Sequence, residues 1–69
     1  MSHFERVRRF ARRNVGRRVE IELFSGREFE GVIVFAGIFS LILRIRVRGG
    51  FVNRTILYRN IDEIKRDRF

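Results

Sequence analysis

The stretch VEIELFSGREFEGVIVFAGIFSLIL, residues 19–43, decides the fold of this chain. In its first part Val19, Ile21 and Leu23 are separated by glutamates, and this period of two is typical of a strand buried on one face. Ser25-Gly26 then predicts a tight turn. The remainder returns as a longer apolar run, so the stretch predicts consecutive antiparallel strands.

The second run, REFEGVIVFAG, is interrupted by Gly31. With a period of two, it places Phe29, Ile33 and Phe35 on one face of the strand. A glycine inside a strand often marks a bulge or a tight bend. We therefore expect the second strand to bend or bulge at Gly31.

The residues before this stretch predict a helix over about residues 2–14. Ser2 and Glu5 have the spacing of a capping box, in which two side chains satisfy free amides at a helix start. Gly16 can take the left-handed conformation that ends helices. The side chains expected to face the core recur at helical spacing: Phe4, Val7 and Phe10 or Ala11.

The residues after the stretch predict more strands. A run from Ile38 to Arg48 and a run from Phe51 to Tyr58 flank Gly49-Gly50, which predicts a tight hairpin. Ile61 and Ile64 then indicate a short closing strand or turn. We therefore predict one mainly β domain over residues 1–69: an N-terminal α-helix, then a small, strongly bent, five-stranded antiparallel barrel of SH3-like form over about residues 17–65.

The size of the chain points to self-association. A chain of 69 residues buries only about 60% of its unfolded surface, so its core alone is marginal. With no cysteine and one histidine, disulfides are excluded and a metal site has little support, which leaves oligomerisation as the favoured source of stability. No stretch is apolar for the roughly 18 residues of a membrane span, and no signal-peptide core follows Met1. We expect a soluble, cytoplasmic protein.

The charge is strongly basic and divided into blocks. The net charge is +8, and all but one of the 16 basic residues are arginine. Residues 1–18 carry +6 and residues 44–59 carry +5, whereas residues 19–43 between them carry −3. Arginine matches phosphate with a planar fork of donors, and such a balance favours nucleic acid or an anionic membrane as the partner. The alternative is that the arginines only keep the protein soluble.

Catalysis has little support in the sequence. His3 is alone near one terminus, and the strand glutamates have no histidine, nucleophile or metal-ligand set around them. The sequence therefore predicts no enzyme, no cofactor and no metal site.

Residues 19–43 resemble the first motif of the Sm-like (LSm) family, and within it most nearly the Hfq family of bacterial RNA chaperones. Gly26 and Gly31 match the turn and bend glycines of that family. The matching core positions are Val19, Ile21, Leu23, Ile33, Leu41 and Leu43. The resemblance covers residues 4–43 well and the rest loosely. It implies an Sm-like fold, a homo-oligomeric ring of about six or seven subunits joined through edge strands, and binding of single-stranded RNA on its faces and rim.

The same resemblance implies a set of RNA-binding residues. Phe39 matches the aromatic that stacks on a base near the pore, and Ser40 stands where other members place an asparagine. Tyr58, Arg59 and Asn60 fall near the polar pore residues of the second motif. The helix arginines Arg9, Arg12 and Arg13 resemble an arginine-rich rim. The chain departs from the family at Gly37, at Glu22 and through most of the second motif.

Alternate positions place Arg44, Arg46 and Arg48 on one face of the third strand. Like charges so arranged repel one another unless an anion faces them. That anion could be RNA, or it could be the Glu20 and Glu22 pair of a neighbouring subunit. Among the other aromatics, we expect Phe24 and Phe51 to be core residues, while stacking and core packing remain open for Phe39.

Two rival functions remain open from the sequence. One is a monomeric SH3-like barrel that binds duplex nucleic acid or a ribosomal particle. The other is an Sm-like ring that acts as an assembly scaffold, with its arginine surface facing acidic partners or lipid headgroups.

Overall fold

The computed structural model describes residues 1–67, which form one N-terminal helix followed by a five-stranded antiparallel sheet. The elements in chain order are α1 (His3–Arg13), β1 (Arg18–Leu23), β2 (Glu28–Ala36), β3 (Ser40–Val47), β4 (Gly50–Leu57), a one-turn 3-10 helix η1 (Tyr58–Asn60) and β5 (Ile61–Arg66). The protein is therefore mainly β, as predicted. No helix within residues 1–67 has the length and apolar character needed to cross a bilayer.

The helix is capped as the sequence predicts. The Ser2 hydroxyl accepts a hydrogen bond from the Glu5 backbone N–H at 3.1 Å, and the Glu5 carboxylate accepts one from the Ser2 backbone N–H at 3.3 Å. After α1 ends, Gly16 takes a φ of +86°, which is the left-handed conformation expected of it. A ring nitrogen of His3 lies 3.0 Å from the carbonyl oxygen of Ile61, and this contact connects α1 to β5.

The sheet has the strand order β4-β3-β2-β1-β5 and is not closed into a barrel. The predicted closure is therefore wrong: within residues 1–67, β4 and β5 lie at opposite edges and do not pair with each other. The sheet is nevertheless curved, since the guanidinium of Arg54 on β4 packs 4.9 Å from the ring centre of Phe29 on β2, two strands away. Each edge strand presents unpaired backbone N–H and C=O groups.

The register shift in β2 does not lie at Gly31, so a bulge at that residue, one of the two predicted features, is wrong. Gly31 pairs regularly with Val19, and the register shift lies between Ile33 and Phe35. Gly31 is required for a different reason, because a Cβ atom there would collide with the backbone carbonyl oxygen of Arg44 on β3. The shift turns Phe35 outward, where it is 58% exposed, so the expectation that it shares a face with Ile33 is wrong.

The core lies between α1 and the concave face of the sheet. It consists of Val7, Ala11, Val19, Ile21, Ile33, Leu41, Leu43, Ile56, Tyr58 and Ile61. Leu23 packs against this cluster and is partly buried. The side chains that alternate in the quoted stretch thus fill the core in β1, in β2 as far as Ile33, and again in β3, while the register shift removes Phe35 from this face.

Replacing Gly31 by alanine is expected to destabilise the protein by about 2 kcal/mol, since backbone on β3 must move to admit the methyl group. Urea unfolding at a fixed protein concentration measures this change. Gly37→Ala is the milder comparison: its Cβ would meet the exposed, movable ring of Phe35 at 3.2 Å and the Ser40 carbonyl oxygen at 3.3 Å, which are tight contacts but not a collision with backbone as at Gly31. Equal unfolding midpoints for the two variants would contradict the role given to Gly31.

Candidate nucleic-acid interface

The turn between β2 and β3 presents Phe39, whose side chain is 68% exposed. A hydrogen bond from the Gly37 N–H to the Ser40 carbonyl, 2.8 Å long, closes the turn. The Tyr58 N–H donates to the Phe39 carbonyl at 2.9 Å, and the Tyr58 hydroxyl donates to the Gly37 carbonyl at 2.9 Å. The turn is therefore fastened to η1, and the two segments predicted to form one site lie side by side.

Tyr58 has a different role from the predicted one. Its side chain is fully buried, and its ring meets the ring of Phe4 edge to face at 5.8 Å. It is a core residue that positions the Phe39 turn, and its own ring does not reach the surface. Arg59 and Asn60, which follow it in η1, are exposed, while Ser40 is half-buried.

Two other phenylalanines are exposed against expectation. Phe24 is 63% exposed and Phe51 is 56% exposed, so the prediction that both are core residues is wrong. Phe24 lies in the β1–β2 turn, where its N–H donates to the Asn60 carbonyl at 3.0 Å and its ring centre is 6.0 Å from that of His3. Its position beside η1 depends on tertiary contacts that no local sequence pattern reports.

The predicted helix arginines form an exposed basic surface. Arg9, Arg12 and Arg13 are all exposed along α1. Arg12 and Arg13 lie in the last turn, where positive charge complements the helix dipole. Arg8 packs its guanidinium 5.6 Å from the ring centre of Phe4, so part of the basic surface is fixed by the core.

The β3–β4 hairpin carries a second basic surface, which we call the arginine ribbon: Arg44, Arg46, Arg48 and the ring of Phe51. Arg44 lies opposite Asn53 and Arg46 opposite Phe51, so their side chains share the face turned away from the core. The guanidinium of Arg44 packs 4.5 Å from the ring centre of Phe51. Arg48 lies in the turn that follows β3. Pairing of β2 with β3 extends only to Val32 opposite Arg44, so the end of the hairpin projects from the sheet.

The other half of the same face is acidic. A groove of about 510 Å³ crosses β1, β2 and β5, and we call it the acidic groove. The charged side chains lining it are Glu20, Glu22, Glu28, Glu30, Glu63 and Lys65. The acidic residues of the negative block at residues 19–43 line this groove, and Glu63 joins them only because β5 pairs with β1, which no local sequence pattern indicates.

Three carboxylates at one end of the groove lie close together. Single oxygens of Glu20, Glu30 and Asp67 lie within 4.8 Å of one another, a spacing that a cation could bridge. The guanidinium of Arg18 already contacts two of these groups, Glu30 at 3.0 Å and Asp67 at 2.8 Å. A hydrogen bond with Asp67, followed by burial, raises the pKa of Glu20. Burial opposes ionisation of Asp67, yet its hydrogen bonds with Glu20 and Arg18 lower its pKa.

Comparisons of this chain with models of protein families, with curated proteins and with solved structures find no match. The functional assignment therefore depends on the geometry and charge of the surfaces described above.

Tyr58 is expected to ionise above its ordinary pKa of 10.0, because burial raises the pKa and the charges of Arg12 and Arg8 offset this only in part. The unfolded chain loses the phenolic proton first, so the stability contributed by neutral Tyr58 is present below pH 10 and is lost as pH rises through the folded pKa. Tyr58 is the one tyrosine of the chain, so its phenolate absorbance reports on this site alone.

Alkaline titration followed by absorbance and by circular dichroism measures both effects. Tyr58→Phe has no phenol to ionise, so this part of the alkaline loss of stability should disappear. The variant also lacks the hydrogen bond to the Gly37 carbonyl, which should lower its free energy of unfolding by about 1 kcal/mol at neutral pH. A phenol that titrates at or below 10.0 in the folded protein would contradict the burial assigned to Tyr58.

Proposed function

We propose that this protein is an Sm-like, Hfq-like RNA-binding protein that assembles into a homo-oligomeric ring and binds single-stranded RNA. The observation that carries the proposal is a curved sheet whose two edge strands are unpaired within residues 1–67, together with a turn that exposes the Phe39 ring next to η1 and its Arg59. Each part of this observation supports a different part of the function.

The two unpaired edges support assembly. An exposed edge strand readily pairs with another chain, and here the edges are the eight-residue β4 and the six-residue β5. Pairing β4 of one copy with β5 of the next is a head-to-tail contact, which closes into a ring when the rotation between copies allows it. A monomeric barrel, the first rival function, would leave both of these edges without a partner strand.

Apolar surface at the β4 edge also supports assembly. Val52 lies opposite Ile45, on the same face of the sheet as the buried Leu43, yet it is 47% exposed. Val47, on this face as well, is 41% exposed. The core face of the sheet thus extends past the cover that α1 provides. A neighbouring copy seated on this edge would bury that apolar surface and add to a core that is marginal for a chain of this size.

The Phe39 turn supports RNA binding. Bases of any sequence stack on an exposed aromatic ring, a contact that contributes about 1–3 kcal/mol for each base. Arg59 and Asn60 lie on the adjoining η1, where they can donate hydrogen bonds to the base or to phosphate. The helix arginines and the arginine ribbon would hold the phosphate backbone, and such binding is strongly salt-dependent. The protein would hold or anneal RNA in the manner of a chaperone.

Light scattering on the purified protein, combined with ultraviolet absorbance across the same peak, tests the proposal. We expect a species of six or seven times the 8.3 kDa chain mass that carries nucleic acid and loses it at high salt. A monomer at every concentration would overturn the ring. A ring that retains no RNA at low salt would instead favour a scaffold that binds acidic proteins or lipid headgroups.

Two substitutions are expected to weaken RNA binding in different ways. Phe39→Ala should lower the affinity for an unstructured RNA roughly 5- to 100-fold with little change in salt dependence, because it removes stacking. Arg12→Gln should reduce the slope of log affinity against log salt by about 0.7 for each phosphate that the protein no longer neutralises. Fluorescence anisotropy over a salt series measures both quantities.

Val15→Ala is the control for these binding experiments, since it shortens an apolar side chain that is 48% exposed and lies outside the proposed surface. It should leave affinity and slope unchanged. An unchanged affinity in Phe39→Ala would exclude stacking at this turn.

A further inference from the structure

We propose that the acidic groove of one copy faces the arginine ribbon of the neighbouring copy, so that charge sets the direction in which copies join. This inference rests on the proposed ring and adds a partner for the groove, which RNA binding leaves without a role. The occupant is therefore a second copy of this chain.

The positions of the two surfaces on the sheet carry the argument. Both lie on the face turned away from the core, at opposite ends of the strand order: the ribbon on β3 and β4, the groove on β1, β2 and β5. When β4 of one copy joins β5 of the next with their core faces on the same side, ribbon and groove meet across the joint. Across that joint β3 lies two strand spacings, about 10 Å, from β5 of the neighbour, so Arg46 comes within that distance of Glu63 when the two residues are in register. Long side chains that lean toward each other can span that distance.

Within residues 1–67, most of the charges on the two surfaces have no ion-pair partner, and Glu30 is the exception. Among residues 1–67, Arg18 makes the ion pairs to Glu30 and Asp67, and neither the other groove glutamates nor the ribbon arginines lie within 4.0 Å of an opposite charge. Like charges on adjacent strands repel, as in the directly opposed pairs Glu20 with Glu30 and Glu22 with Glu28. Placing ribbon against groove relieves repulsion on both sides of the joint.

The same charges disfavour the wrong ways of joining. A β4-to-β4 pair would bring two arginine ribbons together, and a β5-to-β5 pair would bring two acidic grooves together. Juxtaposed like charges cost several kcal/mol at an interface, whereas complementary patches speed association and fix its register. The head-to-tail pair is the one arrangement of these edges that matches opposite charges, and it is the arrangement that propagates into a ring.

One consequence concerns RNA. A ribbon engaged by a neighbouring groove has less charge to offer phosphate, so RNA binding in the assembled state should depend mainly on the Phe39 turn and the helix arginines. Substitutions in the ribbon should then act first on assembly.

Paired charge reversals test the inference. The groove variant is Glu22→Arg with Glu63→Arg, and the ribbon variant is Arg44→Glu with Arg46→Glu. Each variant alone, free of nucleic acid and at low salt, should dissociate at a concentration at least tenfold above that of the wild type. An equimolar mixture should recover assembly, because every joint between unlike chains again has opposite charges. Arg6→Glu with Arg17→Glu is the matched control: it changes the net charge as much as the ribbon variant, at exposed positions outside both surfaces, and should assemble normally.

Light scattering on the separate and mixed variants gives the result, and circular dichroism shows whether each is folded. Recovery on mixing also excludes misfolding as the cause of dissociation. If both variants form full-sized rings alone, or if folded variants stay apart when mixed, the inference is overturned while the ring remains. A wild type that is itself monomeric would overturn the proposed ring instead. If the groove variant fails to fold, Glu22→Gln with Glu63→Gln replaces it, and this variant should associate more weakly than the wild type.

Discussion

The close approach of β2 and β3 at Gly31 is the constraint on which the rest of the structure depends. The backbone of β3 lies where any larger residue would place its Cβ atom. Because Gly31 has no Cβ atom, β2 and β3 can approach closely at this position, and the curved form of the sheet requires that close approach. The curvature brings Arg54 over Phe29 and gives α1 a concave surface to cover. It is not sufficient to pair β4 with β5 within residues 1–67, so each of these strands has an edge free to accept another strand.

Charge is distributed over this frame with unusual separation. The convex face of the sheet is acidic toward β5 and basic toward β4, while the arginines of α1 lie on a third surface. The net charge of +8 does not convey this distribution, because the local charge on the outer face of the sheet changes from negative to positive within a few strands. The blocks of charge in the sequence become patches in space because β1 and β2 are adjacent, as are β3 and β4. The fold therefore preserves the pattern of the chain and adds Glu63 to it through β5.

Much of the fold could be predicted from local patterns. The capping box, the glycine turns and the alternation in β1 indicated the helix, the strand order along the chain and most core residues, because each depends on neighbours within a few positions. The failures share one cause, which is dependence on distant parts of the chain. A register shift after Ile33 reversed the faces of β2, so Phe35 points outward although its period matches Ile33. Whether the sheet closes depends on the total curvature of five strands, which no single segment encodes.

At the candidate site, too, features that depend on local patterns could be predicted, whereas features that depend on distant contacts could not. The family resemblance assigns Phe39 and Tyr58 to one region, and the structure places them side by side, with Arg59 and Asn60 exposed next to them. The exposure of aromatic rings was mostly misjudged: Tyr58 is buried, while Phe24 and Phe51 are exposed. An aromatic residue in a strand or turn has the same local signature in either case, since burial is decided by the element that lies over it. Here Tyr58 is buried because η1 lies beneath the Phe39 turn. Phe24 and Phe51 are exposed because no helix or strand within residues 1–67 lies over them.

The apolar β2–β3 turn has a consequence for the behaviour of the protein in solution. Phe35, Ile38 and Phe39 are each more than half exposed within five residues, a surface that would adhere to its counterpart on another molecule. Mutual repulsion between cationic molecules keeps such surfaces apart, and at physiological salt that repulsion extends only about 8 Å. The arginines would thus act as a colloidal stabiliser, and their neutralisation by a bound polyanion would remove that protection from every molecule whose apolar turn is not occupied.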